Sequence, residues 1–93
     1  MVNVPRILEI YVAPDCFGCE TARNLASMIL ALGHSDLEVR LLDLSKPDVI
    51  RPPAVFAVPT YLLDGRVISL GNPEQDWLLD LIAQPPSSSG AAE

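Results

Sequence analysis

Ile7-Leu8-Glu9-Ile10-Tyr11-Val12, then Cys16-Phe17-Gly18-Cys19, then an amphipathic run closed by Gly33, is the stretch around which the rest of the chain can be read. Both cysteines of the protein lie in it. Apolar residues fill nearly every position from Ile7 to Val12, Glu9 excepted, as expected of a central strand covered on both faces. From Phe17 to Leu32, Ala22, Leu25, Ala26, Ile29 and Leu32 recur at helical spacing while Arg23, Asn24 and Ser27 fall elsewhere, which predicts an amphipathic helix. Gly33 takes the C′ position that ends it. The lone histidine, His34, follows and reads as a solvated surface residue.

A strand that runs into C-x-x-C at a helix start brings two sulfurs together where unpaired N–H groups and the positive end of the helix dipole favour a thiolate. Cys16, the more exposed position, is the candidate nucleophile. Cys19, one turn further in, is the candidate resolving thiol, placed to attack a mixed disulfide on Cys16 and close a Cys16–Cys19 bond. Phe17 reads as an apolar surface contact for a partner. Asp15 is a candidate helix cap, but its charge and that of Glu20 oppose a neighbouring thiolate and raise the thiol pKa. Zinc is the competing reading. It usually takes four ligands, and beyond this pair the chain offers only His34 and carboxylates, so no metal and no organic cofactor are expected. A purely structural disulfide is also a weak reading, because so small a loop constrains the unfolded chain little.

Composition narrows the classes. Ninety-three residues, 49% of them apolar, suit one domain with a modest core, expected over residues 1–84. A formal charge of −6 argues against nucleic acid and anionic membrane surfaces as partners. No uncharged run is long enough to span a bilayer, and Arg6 and Glu9 interrupt the apolar core that a secretory signal needs. A cytoplasmic monomer is therefore expected, in a compartment where a C-x-x-C works more often than it staples.

Further along, Leu37, Val39 and Leu41 alternate with Glu38 and Arg40, and Leu42 and Leu44 extend a second strand. Strand, helix, strand implies a right-handed parallel βαβ unit. Residues 45–53 are a proline-punctuated connection in which Asp48-Val49-Ile50 has room for one helical turn before Pro52-Pro53. Asp64-Gly65 between Tyr61-Leu62-Leu63 and Val67-Ile68-Ser69-Leu70 signals a type I′ hairpin. Asn72, Pro73 and Gln75 read as N-cap, N1 and N3 of a last helix with Trp77, Leu78, Leu81 and Ile82 as its apolar stripe. Residues 85–93, which lack apolar bulk, are expected to be a disordered tail.

Over Ile7 to Ala83 this order resembles the thioredoxin superfamily. Two motifs carry the resemblance: Cys16-x-x-Cys19 after the first strand, and Val55-x-x-Val58-Pro59-Thr60, similar to the family's Val-x-x-(Ile/Val)-Pro-Thr. The resemblance implies an α/β fold of the compact glutaredoxin-like kind, β-α-β-(α)-β-β-α, with a four-stranded mixed sheet, helices on both faces and the first strand inside. It further implies a cis Pro59 facing the cysteines, a Val58 backbone that pairs with substrate, and Phe17 and Gly71 on the rim of the groove. The implied activity is thiol–disulfide exchange with a disulfide-containing protein or small thiol, the dithiol being regenerated by a separate reductant. The chain departs from the family at Asp15 in place of a Trp, at Phe17-Gly18 in place of Gly-Pro, at Glu20 in place of a Lys, at Ile10 where thioredoxins bury an acid, and at Asn72-Pro73 after Gly71 where glutaredoxins carry Gly-Gly. The strand Leu8 to Ala13, the Asp43 region, Pro59-Thr60 and Gly71 also resemble KaiB clock proteins, which bind partners without thiol chemistry, and that resemblance implies an interaction module with incidental cysteines.

Overall fold

The structure, a computed structural model, describes residues 5–83, so the predicted tail at 85–93 lies outside the described residues. In chain order the elements are β1 (Arg6–Val12), α1 (Cys19–Leu32), β2 (Leu37–Asp43), β3 (Thr60–Leu63), β4 (Arg66–Leu70) and α2 (Gln75–Ala83). The four strands form one mixed sheet in the order β2-β1-β3-β4. β1 is parallel to β2, with Arg6 opposite Leu37 and Val12 opposite Asp43, and antiparallel to β3, with Leu8 opposite Leu63 and Ile10 opposite Tyr61. The near-continuous apolar run of β1 is explained by this inner position, since it has a covering layer on each side.

Leu8, Ile10 and Val12 of β1 and Tyr61 and Leu63 of β3 point to one face, where they pack with Ala22, Leu25, Ala26 and Ile29 of α1 and Leu78 and Ile82 of α2. Ile10 and Ile29 are almost wholly buried, and burial of a side chain of this size contributes about 1.5–3 kcal/mol. Tyr11 and Leu62 point the other way and meet Val55, with Leu42, Leu44 and Val49 around them. Both helices therefore share one face, which corrects the expectation of helices on both. Residues 44–59 cover the second face without a helix, and the turn sketched at Asp48-Val49-Ile50 does not form. Pro47, Pro52, Pro53 and Pro59 leave too few uninterrupted donors for one. The chain closes isolated turns instead, from Val49 N–H to the Lys46 carbonyl and from Val55 N–H to the Pro52 carbonyl.

Asp64 and Gly65 connect β3 to β4 with φ of 52° and 85°, both positive as a type I′ turn requires. Asp64 also ties the hairpin to β1, its Oδ1 accepting from Ile7 N–H at 2.9 Å and its Oδ2 from Arg6 Nε at 3.0 Å. Two apolar positions fall outside the stripes expected for them. Leu32 is 55% and Trp77 45% exposed, while Leu78 and Ile82 carry the inward face of α2. Among the described residues no helix is long and apolar enough to cross a membrane.

Candidate active site

Helix α1 begins at Cys19, later than the spacing predicts, with Gly18 as its N-cap and no side-chain cap. Asp15 is not the cap. It occupies the turn ahead of Cys16 with a φ of 57°, the left-handed region that Asp tolerates better than most residues. Cys16 thus lies in the turn before the helix, its carbonyl accepting from Cys19 N–H at 3.2 Å, while the Gly18 carbonyl accepts from Ala22 N–H at 3.2 Å. The sulfurs of Cys16 and Cys19 are bonded, with the Cα atoms 5.2 Å apart. Cys16 is partly exposed, whereas Cys19 is fully buried among the residues that include Ile10. The neighbouring acid, Glu9, belongs to the opposite face of the sheet and lies 3.9 Å from Arg40.

The Val58–Pro59 peptide is cis, and Pro59 is buried against the cysteine loop. A Cβ placed on Gly18 would come within 3.4 Å of Pro59 Cδ and 3.1 Å of Asn72 Nδ2. Glycine is what lets the loop approach the proline so closely. Val58 is half-buried at the edge of the main core and precedes the β1–β3 ladder, which opens at Tyr11 opposite Thr60. Gly71, with a φ of 89°, donates its N–H to the Pro59 carbonyl at 2.7 Å. Phe17 is fully exposed beside Cys16. The structure thus brings Cys16, Cys19, Val58, Pro59 and Gly71 to one end of the sheet, and Phe17 projects from it.

Two residues that the motifs do not announce complete this end. Tyr61 is fully buried, and its hydroxyl donates to Asn72 Oδ1 at 2.8 Å, while Asn72 Nδ2 donates to the Gly18 carbonyl at 2.8 Å. Asn72 therefore does not cap α2. That helix starts at Gln75, and the Glu74 carbonyl accepts its first bond, from Leu78 N–H at 3.0 Å. Burial pushes the Tyr61 phenol up to about 12, so it stays a neutral donor at ordinary pH. The available sequence signal was Tyr61 itself, since a tyrosine on the inward parity of a buried strand needs an acceptor for its hydroxyl.

At the other edge of the loop, Arg23 Nη2 donates to the Ala13 carbonyl at 3.4 Å and lies 3.9 Å from Asp43, which links the approach to Cys16 with the end of β2. Asp43 accepts from both the hydroxyl and the N–H of Ser45, and these bonds hold its carboxyl below the usual range, with Arg23 a smaller influence. Among the described residues no three His, Cys, Asp or Glu side chains are grouped so as to hold a metal ion.

An inner β1 flanked by a parallel β2 and an antiparallel hairpin, with a cysteine pair at the start of α1 facing a proline ahead of β3, is a thioredoxin-like fold. No family model and no curated protein matches the chain. Among solved structures it is similar to a chain from work on the structural basis of the thiol resolving mechanism in yeast mitochondrial 1-Cys peroxiredoxin via glutathione/thioredoxin systems. That likeness has a TM-score of 0.65 at 19% identity and covers 86% of this chain and 78% of the other. It supports the thioredoxin-like fold and lends nothing to the KaiB resemblance.

Proposed function

We propose that the protein is a thiol–disulfide oxidoreductase working through Cys16 and Cys19. In the reduced form the Cys16 thiolate attacks one sulfur of a substrate disulfide, forming a mixed disulfide and expelling the first substrate thiolate. Cys19, deprotonated, then attacks Cys16 Sγ, which closes the Cys16–Cys19 bond and expels the second. The electron pair passes to the substrate, and an external thiol or a reductase restores the dithiol.

The observation that carries this reading is the asymmetry of the pair, a partly exposed Cys16 joined to a fully buried Cys19. Only the outer sulfur is open to a bulky disulfide, and the inner one is near enough to resolve it. Val58 and Pro59 line the approach, the Val58 backbone is assigned to an extended substrate segment, and Phe17 and Gly71 flank it. Substrates are disulfide-containing proteins or small thiols, the domain acts as a cytoplasmic monomer, and neither metal nor organic cofactor enters the exchange.

The test is dithiothreitol-driven reduction of insulin by the wild type and by Cys16→Ser. Turnover above the dithiothreitol background that disappears in the variant is the expected result. Wild-type turnover no faster than background would sink the oxidoreductase reading.

A further inference from the structure

We infer that Asn72 is a positioning residue for the cysteine pair and a determinant of its redox potential, acting through the Gly18 carbonyl in an orientation set by Tyr61. This rests on the thiol–disulfide reading and adds to it a residue outside both motifs. The geometry is directional. The Gly18 carbonyl is an acceptor only, so the atom facing it at 2.8 Å must be the Asn72 amide nitrogen, and the other end of the amide is left to accept from Tyr61. Tyr61 has no exposed surface and remains protonated, so it cannot turn to solvent, and the amide is locked. The same Gly18 carbonyl also accepts from Ala22 N–H, which makes it the hinge at which the cysteine loop meets α1.

The two redox states depend on this hold to different degrees. With the disulfide closed, residues 16–19 are already ordered covalently, so the Asn72 bond forms at little cost in entropy. With the disulfide open, the tie is gone. The Asn72 bond, the Ala22 bond and the close approach of Gly18 to Pro59 then keep Cys16 and Cys19 within reach of each other. Because this hold raises the effective concentration of one thiol at the other, removing the Asn72 amide weakens the disulfide more than the dithiol. Disulfide plus two glutathione thiols giving dithiol plus glutathione disulfide is then pushed to the right, and the potential becomes less negative. A net hydrogen bond of about 0.5–1.5 kcal/mol corresponds to a shift of roughly two- to tenfold in that equilibrium constant. Tenfold is about 30 mV for a two-electron couple. Resolution of a mixed disulfide by Cys19 slows as well, because it depends on how well the two sulfurs are held together.

The experiment is equilibration of the whole chain in glutathione redox buffers, with the fraction of Cys16–Cys19 disulfide read by alkylation and mass. Wild type, Asn72→Ala and Tyr61→Phe are compared, together with the melting temperature of each in both redox states. The expected result is a two- to tenfold displacement toward dithiol in Asn72→Ala, a smaller one of the same sign in Tyr61→Phe, and a larger loss of melting temperature in the oxidised form than in the reduced. An equilibrium constant within twofold of wild type, with equal losses of melting temperature in the two states, would mean that Asn72 only supports the fold and would overturn the inference, as would displacement toward disulfide. Because this equilibrium needs no substrate protein, it is read independently of insulin turnover, so the failure of either idea can be told from the failure of the other.

Discussion

Gly18 and Asn72, 54 positions apart in the chain, meet at hydrogen-bond distance, the Asn72 amide nitrogen 2.8 Å from the Gly18 carbonyl oxygen. The contact leaves little room for a side chain on the glycine, since a Cβ there would stand 3.1 Å from the same nitrogen. Gly18→Ala must therefore push the amide aside or lengthen the bond. Overpacking of this kind costs about 1–3 kcal/mol, with the low end expected here because Asn72 is an exposed side chain. Urea unfolding of Gly18→Ala, Asn72→Ala and the double variant should give a double-variant loss smaller than the sum. Strict additivity would place the strain against Pro59 instead.

The burial of the two cysteines predicts their order of reaction. After reduction, iodoacetamide should modify the partly exposed Cys16 well before the fully buried Cys19. Cys19→Ser should trap mixed disulfides on Cys16 that non-reducing gels resolve, and Cys16→Ser should not turn over at all. Faster alkylation of Cys19 would reverse the assigned roles.

Tyr61 makes stability depend on alkaline pH. Its phenol titrates at 10.0 when free and near 12 when buried. A folded-state value raised above the unfolded one means that the contribution is complete below pH 10 and is lost as pH climbs from 10 toward about 12, where only the unfolded chain can ionise freely. Tyr11, also raised by burial and by Glu9, adds to the same slope. Urea midpoints taken across this window should fall more steeply for wild type than for Tyr61→Phe. Parallel curves would show that Tyr61 ionises as easily folded as unfolded.

Asp64 has two separable jobs. Its φ of 52° calls for a residue that tolerates the left-handed region, and its carboxylate binds Ile7 N–H and Arg6. Asp64→Ala loses both and should cost about 1–3 kcal/mol, and Asp64→Gly, which restores the backbone freedom alone, should recover part of that. Thermal unfolding measures both. Equal losses for the two variants would mean that the turn conformation carries no cost and the carboxylate carries it all.

Local patterns in the chain were enough for the sheet and for the position of the cysteines. The apolar run of β1, the helical spacing from Ala22 to Ile29 and the Asp64-Gly65 turn are each short-range features whose physics is settled within a few residues. That is why the order of elements could be read directly, whereas the meeting of Pro59 with Cys16 and Cys19 came only from what the thioredoxin resemblance implied. Where long-range packing competes with local preference, the reading fails. Asn72 has the side chain of a good N-cap and Pro73 follows it, yet the buried hydroxyl of Tyr61 and the carbonyl of Gly18, which accepts a second bond from the Asn72 amide, draw that amide elsewhere. Asp15 likewise has a capping side chain, but the turn that carries Cys16 to Pro59 places it outside the helix. The prolines between 47 and 59 argue locally against a helix there, but no local pattern shows that Val55 and Val49 carry the irregular layer over the second face. The elements follow from periodicity, which a sequence displays. The Tyr61–Asn72–Gly18 relay follows from which polar groups the fold buries side by side, and only the assembled tertiary structure decides that.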